Sequence, residues 1–231
     1  MNVWDHLGEL RRRLLICVYV LVAGTIAGAW AVNPLLDWLA RPVGILIFVQ
    51  PMEAFTAQVK IALGVSFLLT LPVLLYQAWA FVATGLTAHE KRSLHWVVPL
   101  SYVLFMGGFS FSTFIVFPKA VAFLLTLRSR YLEPMLSVGA YLDMFYLSGL
   151  VLGFLFQLPL ALLFLSRVGL LQPDALTRNR RISYLAIFIL AAIFNTGPDA
   201  FTQLLFAFAA IVLFELSIVW VRWEAKKRPS T

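Results

Sequence analysis

The chain contains little charge for its length. Of its 231 residues, only 13% are Asp, Glu, Lys or Arg, whereas 61% are hydrophobic. Soluble domains average about 25% charged and about 45–50% apolar residues, so a soluble fold of this composition would expose large apolar patches and aggregate. Intrinsic disorder is excluded for the opposite reason, because the chain is too rich in Leu, Phe and Val. The composition therefore indicates a membrane protein.

Cysteine and catalytic motifs are also scarce. Cys17 is the single cysteine, which excludes an internal disulfide, a CxxC pair and a cysteine-based metal site. The sequence contains no HExxH, GxSxG or P-loop pattern, and it offers no motif for phosphate binding or ATP hydrolysis. We therefore expect a protein that is not an enzyme and that uses no cofactor or metal ion.

Long apolar runs predict one transmembrane domain, 1–231, with six spans. A helix needs about 20 apolar residues to cross about 30 Å of hydrocarbon. The fifth run is short, roughly 21 Å as a helix, and Pro118 is expected to stop the third. Pro72 and Pro159 predict tilts or kinks in the second and fourth spans. The predicted spans are 14–32, 57–82, 94–117, 141–166, 182–195 and 200–221.

Lys and Arg are distributed unequally about these spans. With six spans, the side that carries both termini holds 13 of them, the opposite side holds 4, and Lys60 lies inside the second span. The positive-inside rule therefore predicts that both termini are cytoplasmic. The net charge of +7 is mostly this orientation signal, and because it forms no single basic face we expect no nucleic-acid binding. Acidic Asp5 and Glu9 precede the first apolar run, which favours an uncleaved span over a signal peptide.

Each ionisable group near a span is a functional candidate, yet each also has a structural interpretation. Glu9 is spaced to neutralise Arg12 or Arg13 along a helix. Glu90 fits the capping box that starts at Thr87.

Three further ionisable groups lie within or beside predicted spans: Asp199, Glu215 and Lys60. Asp199 is suited to cap the sixth helix. Glu215 suits either a buried structural pair with Lys or Arg or a functional role. Lys60, near the outer end of the second span, is expected to extend its ammonium toward the interface.

Several motifs occur in order along this predicted topology. They are His6-Leu7-x-Glu9-Leu10-Arg11-x-Arg13-Leu14, Pro72-Val73-Leu74-Leu75-Tyr76-Gln77-x-Trp79-x-Phe81, Gly85-Leu86, His89-Glu90-Lys91-Arg92, Phe156-x-x-Pro159, Pro198-Asp199-x-x-Thr202-Gln203 and Phe214-Glu215. Together they make the whole chain resemble the TatC family, the multi-spanning component of the twin-arginine protein translocase. The resemblance implies an all-α fold of six transmembrane helices, the fifth and sixth short, arranged as a curved wall around a concave face.

The resemblance also implies a receptor that exports folded proteins across a bacterial-type cytoplasmic (inner) membrane, driven by the proton-motive force. Glu9 and Glu90, with Phe81 and Arg11 beside them, match the positions that bind the paired arginines of a signal peptide. A guanidinium offers a planar donor fork to a carboxylate, which a lysine does not.

The resemblance also implies a second class of partner, small single-span translocase subunits. Membrane lipid surrounds the chain, and self-association is left open. The positions implied for partner docking or for intramembrane polar contacts are Gln157, Asp199, Thr202, Gln203 and Glu215. The family commonly has Glu where this chain has Gln157, which hydrogen-bonds but does not ionise. Pro42 matches a proline-bearing first external loop.

A secondary transporter or channel for a small solute is the competing interpretation. Such proteins commonly carry internal repeats and charged groups near the bilayer midplane. This sequence shows no repeat and few such charges, so the receptor interpretation is favoured.

Overall fold

The computed structural model describes residues 3–82, 94–127, 135–167, 177–178, 180–194 and 200–227, and these are almost entirely helical. The predicted all-α fold is confirmed; within the described residues, β-pairing is limited to an isolated bridge between Ile47 and Ser137. In chain order the elements are α1 (Val3–Gly28), a 3-10 turn (Ala29–Ala31), α2 (Val32–Ala40), α3 (Pro51–Val82), α4 (Leu94–Phe111), a π-helical turn (Ser112–Val116), α5 (Phe117–Thr126), α6 (Val138–Leu155), α7 (Leu158–Arg167), α8 (Arg180–Phe194) and α9 (Ala200–Lys227).

The predicted spans lie on helical segments, some of which comprise more than one helix. Helices long and apolar enough to cross a membrane run over Leu7–Ala40, Pro51–Val82, Trp96–Thr126, Val138–Ser166 and Thr202–Trp223. The fifth predicted span is α8, whose 15 residues measure about 22 Å along the helix axis. This length is below the hydrocarbon thickness, as the short apolar run predicts.

One expectation about a helix end is wrong. Pro118 does not stop the third span, because a π-helical turn precedes it and the proline falls in the first turn of α5, where a missing N–H is tolerated. The sixth span, Thr202–Trp223, has 22 residues and is the shortest of the five candidate spans in the described part of the chain, although α9 as a whole runs from Ala200 to Lys227.

The fourth span is broken, as Pro159 predicts. α6 ends at Leu155 and α7 begins at Leu158, so Phe156 and Gln157 form a turn between them. Backbone groups remain bonded through the turn, because the Gln157 N–H donates to the Phe154 carbonyl (2.9 Å) and the Gln157 carbonyl accepts from the Ala161 N–H (2.9 Å). Hydrocarbon offers no alternative partner for such groups. Pro72, in contrast, lies inside α3 without interrupting it.

The described residues divide into two compact units, and the first contains α1, α2, α3 and the first residues of α4 and α6. Two glycines of α1 allow its close approach to α3. A Cβ on Gly24 would lie 2.5 Å from the Ser66 hydroxyl oxygen, and one on Gly28 would lie 2.6 Å from the Ala62 carbonyl oxygen. The Ser66 hydroxyl donates to the Leu21 carbonyl (2.8 Å), which joins the two helices by a polar bond as well.

Glu53, in the first turn of α3, joins the two loops that flank α3 and α6. Its carboxylate accepts the Val49 N–H (2.6 Å), the Gly139 N–H (2.8 Å) and the Ser137 hydroxyl. These bonds hold the start of α6 beside the segment that precedes α3, where Ile47 forms the β-bridge to Ser137. Local spacing does not indicate a role for Glu53, because its partners Ser137 and Gly139 at the start of α6 lie more than 80 residues away.

The second unit contains the remainder of α4 and α6 together with α5, α7, α8 and α9. Phenylalanine rings of α4 pack on glycines of α6, since a Cβ on Gly149 would lie 2.6 Å from the Phe109 ring and one on Gly153 would lie 2.6 Å from the Phe105 ring. A buried core of Val116, Leu152, Ala191, Phe206, Ala207 and Ala209 connects α8 and α9 to α6 and the π-helical turn.

We predict that Gly28→Ala lowers the melting temperature of the purified protein in detergent. The added methyl would overlap the Ala62 carbonyl, and overpacking of this kind costs about 1–3 kcal/mol. Gly8→Ala on the same helix is the matched control, because its Cβ would have no atom within 4 Å and Ala is the better helix former. Equal melting temperatures for the two variants would contradict the tight α1–α3 contact.

Candidate functional site

The predicted site residues fall into two groups, one in each unit. Glu9, Arg11, Phe81 and Pro42 belong to the first unit. Gln157, Thr202, Gln203 and Glu215 belong to the second. Glu90 and Asp199 lie outside the described residues.

Glu9 forms an ion pair with Arg13 across one turn of α1. The Arg13 Nη2 atom lies 2.6 Å from Glu9 Oε1, and Nε lies 3.1 Å from the same oxygen. The side chains are 29% and 21% exposed, so the pair is partly shielded from solvent. The sequence predicted a partner at Arg12 or Arg13, and the structure identifies Arg13.

Arg13 also connects α1 to α3. Its Nη1 atom donates to Gln77 Oε1 at 3.0 Å. We call Glu9, Arg13 and Gln77 the Glu9 cluster. Gln77 belongs to a motif that the sequence analysis recorded, but its contact spans 64 residues and no local spacing indicates it.

Two of the other predicted residues flank the Glu9 cluster along their helices. Phe81 is half-buried in the last turn of α3, one helical turn after Gln77. Arg11 is exposed on α1. On the same stretch of α3, the Trp79 indole N–H donates to the Ser101 hydroxyl (3.2 Å), which links α3 to the first part of α4. The Glu9 cluster therefore lies where side-chain hydrogen bonds join α1 to α3 and α3 to α4.

Lys60 forms a second ion pair in the first unit. Its Nζ atom lies 2.6 Å from Asp143 Oδ1; Lys60 is half-buried and Asp143 is exposed. The sequence analysis expected the Lys60 ammonium to reach the interface without naming a partner, because Asp143 follows it by 83 residues. Pairing reduces the cost of placing either charge near hydrocarbon.

Glu215 binds two residues of α8 in the second unit. Arg180 Nη2 donates to its carboxylate at 3.0 Å, and the Tyr184 hydroxyl donates to the other carboxylate oxygen. The Tyr184 ring also packs edge-on against Phe214. This is the structural pair that the sequence analysis left open. A role of Glu215 in partner docking stays a prediction.

An apolar groove of about 700 Å³ lies in the second unit. Four helices line it, namely α6, α7, α8 and α9, and the residues from α9 are Ala210 and Phe214. Among the described residues of the lining, Ser183 alone has a polar side chain. The lining residues on α6, α7 and α8 are Leu147, Leu150, Val151, Phe154, Leu155, Leu158, Leu162, Ser183, Ala186, Ile187, Leu190 and Ala191. This groove was not predicted from the sequence.

The remaining predicted polar residues lie near helix ends. Gln157 is half-buried in the turn that breaks the fourth span, next in sequence to Leu155 and Leu158 of the groove. Thr202 is buried in the first turn of α9, and Gln203 beside it is half-buried.

Pro42 is exposed in the turn after α2. Gly44 closes this turn with a φ of 79° and an N–H bond to the Ala40 carbonyl (2.8 Å). A left-handed φ of this kind favours glycine.

Comparison with known proteins agrees with these observations. Residues 5–208 match the family model described as Sec-independent protein translocase protein (TatC). The TatC protein of Carboxydothermus hydrogenoformans is 35% identical over 223 residues, which cover 94% of this chain and 91% of that protein. TatCd of Bacillus subtilis is 34% identical over 224 residues, which cover 96% and 92%.

The fold is likewise similar to a solved structure. A crystal structure of the twin arginine translocase receptor TatC in DDM matches with a TM-score of 0.81 at 33% identity, covering 93% of this chain and 98% of that one. The relatives are named as protein translocase components, which is a transport function and not an enzymatic one. The chain therefore belongs to the TatC family of multi-pass membrane proteins, the Sec-independent protein translocase proteins.

Proposed function

We propose that this chain is the receptor subunit of a twin-arginine translocase. It binds the Arg-Arg signal peptides of folded cargo proteins at the Glu9 cluster, and it docks small single-span subunits in the apolar groove. The observation that supports this most directly is the partly shielded Glu9 carboxylate, which Arg13 and Gln77 hold at the junction of α1 and α3.

The chemistry of the Glu9 cluster suits a guanidinium ligand. An exposed ion pair contributes below about 1 kcal/mol, whereas a partly desolvated, hydrogen-bonded pair contributes more. Glu9 meets the second condition because its side chain is 29% exposed. Glu90 would supply the second carboxylate, and Phe81 would contact the apolar part of the signal peptide. Arg11, exposed on the same helix as Glu9, would border the site.

The proposed orientation places this site on the cytoplasmic face of the inner membrane. Thirteen Lys and Arg residues on the side of the termini, against four on the other, support it. Export from this face would use the proton-motive force, since each charge that crosses a potential of 100 mV releases about 2.3 kcal/mol.

The apolar groove suits a single transmembrane helix. Ser183, Ala186 and Ala191 on α8 are small, and small residues let the backbones of membrane helices approach closely. Gln157 in the adjacent turn would hydrogen-bond a polar group of the partner. Thr202 and Gln203 at the start of α9, together with Asp199, which precedes that helix in sequence, would form the rim of this docking surface. Glu215 would hold α8 in place behind it.

We predict that Glu9→Gln and Glu90→Gln each weaken binding of an Arg-Arg signal peptide to the purified protein about tenfold, which is ~1.4 kcal/mol. Each change removes a charge without changing the shape of the side chain. Binding of the matched Lys-Lys peptide, measured in parallel by fluorescence anisotropy, should change less. Asp37→Asn is the control, since Asp37 is an exposed carboxylate on α2. Equal binding of both peptides to all proteins would contradict the receptor function.

We also predict that Leu190→Trp blocks docking of the single-span subunits. Leu190 lines the groove, and an indole there would occupy the space for a helix. Ile189→Trp is the matched control, because Ile189 is 52% exposed on α8 and is absent from the groove lining. The measurement is the amount of partner subunit that co-purifies with each variant. Equal recovery with both variants would place the docking surface elsewhere.

A further inference from the structure

We propose that Arg13 and Gln77 are positioning residues that set the preference of the receptor for arginine over lysine. The inference rests on the proposed function, since it concerns how Glu9 recognises a signal peptide. Neither residue is expected to form the main contact with the signal peptide. Their role is to hold the Glu9 carboxylate in one orientation before a ligand arrives.

The geometry of the Arg13 guanidinium carries this proposal. All three of its nitrogens have a partner: Nε and Nη2 donate to Glu9, and Nη1 donates to Gln77. Gln77 is neutral, so it orients the guanidinium without competing with Glu9 for the charge. Because Gln77 is on α3 and the ion pair is on α1, the cluster fixes the Glu9 side chain relative to both helices.

The Glu9 carboxylate keeps acceptor capacity in this arrangement. Both bonds from Arg13 end on Oε1, and among the described residues no contact involves Oε2. An ionised carboxylate has about four lone-pair positions and can accept from two guanidinium groups. The Glu9 cluster therefore holds Oε2 in a fixed plane, where it can accept hydrogen bonds. The planar guanidinium of an incoming arginine can align with that plane when it donates.

Preorganisation of this kind favours arginine specifically. A lysine ammonium is a point charge that bonds a carboxylate from many directions, so it gains little from a fixed carboxylate plane. An arginine gains more, because the ordering of the carboxylate has taken place before binding. Release of Glu9 from Arg13 should therefore weaken Arg-Arg binding more than Lys-Lys binding.

The experiment measures both peptides on the full chain in detergent. Gln77→Leu and Arg13→Lys should each weaken Arg-Arg binding about five- to tenfold and leave Lys-Lys binding nearly unchanged. The controls are Tyr76→Phe, beside Gln77 on α3, and Arg12→Lys, an exposed residue beside Arg13. Both controls should bind like the unaltered chain. Thermal unfolding shows whether each variant folds. If Gln77→Leu does not fold, Gln77→Ala replaces it.

A double-mutant cycle separates positioning from a general structural effect. In the Glu9→Gln background, Gln77→Leu should cause no further loss of Arg-Arg binding, since the carboxylate it positions is gone. A second, equal loss in that background would overturn the inference. So would single variants of Arg13 and Gln77 that bind like their controls while Glu9→Gln still weakens binding. If Glu9→Gln itself has no effect, the proposed function fails as well.

Discussion

The structure depends on one constraint, namely that polar groups near hydrocarbon must find partners within the protein. The chain meets it with pairs of side chains that lie far apart in sequence. Lys60 bonds Asp143, and Arg180 bonds Glu215. The turn at Gln157, which interrupts the fourth span, meets the same constraint locally, because its backbone groups bond to Phe154 and Ala161. Charge is scarce in this chain, and each of these pairs also fixes one helix against another.

The same constraint indicates where recognition can occur. A fully paired and buried carboxylate has no capacity for a ligand, whereas a fully exposed one gains little from binding. Glu9 lies between these limits, since it is partly shielded and, among the described residues, is bonded through one of its two oxygens. Glu215, in contrast, uses both oxygens within the protein. Hence Glu9 is the better candidate for a cationic ligand, and Glu215 acts mainly in holding α8 against α9.

Sequence reasoning predicted the parts of this arrangement that are local. The spans follow from long apolar runs, the break in the fourth span follows from Pro159, and the Glu9–Arg13 pair follows from helical spacing. It did not predict the contacts made across the fold, such as Arg13–Gln77 and Lys60–Asp143, because tertiary packing and not local spacing selects these partners. The apolar groove was missed for a similar reason, since residues from four helices form it. The π-helical turn before Pro118 is likewise a tertiary adjustment that a proline by itself does not reveal.

If a cytoplasmic Glu9 cluster receives the arginines of a signal peptide, photo-crosslinking in inverted inner-membrane vesicles, whose cytoplasmic face is outward, should detect the contact. Photoreactive residues would replace Leu10 and Val82, which are exposed next to Glu9 and Phe81, and Ile45, which is exposed in the loop between α2 and α3. The account predicts that an Arg-Arg peptide added outside crosslinks at 10 and 82 but not at 45, and that a Lys-Lys peptide does so weakly. Equal crosslinking of both peptides, or crosslinking mainly at 45, would contradict it.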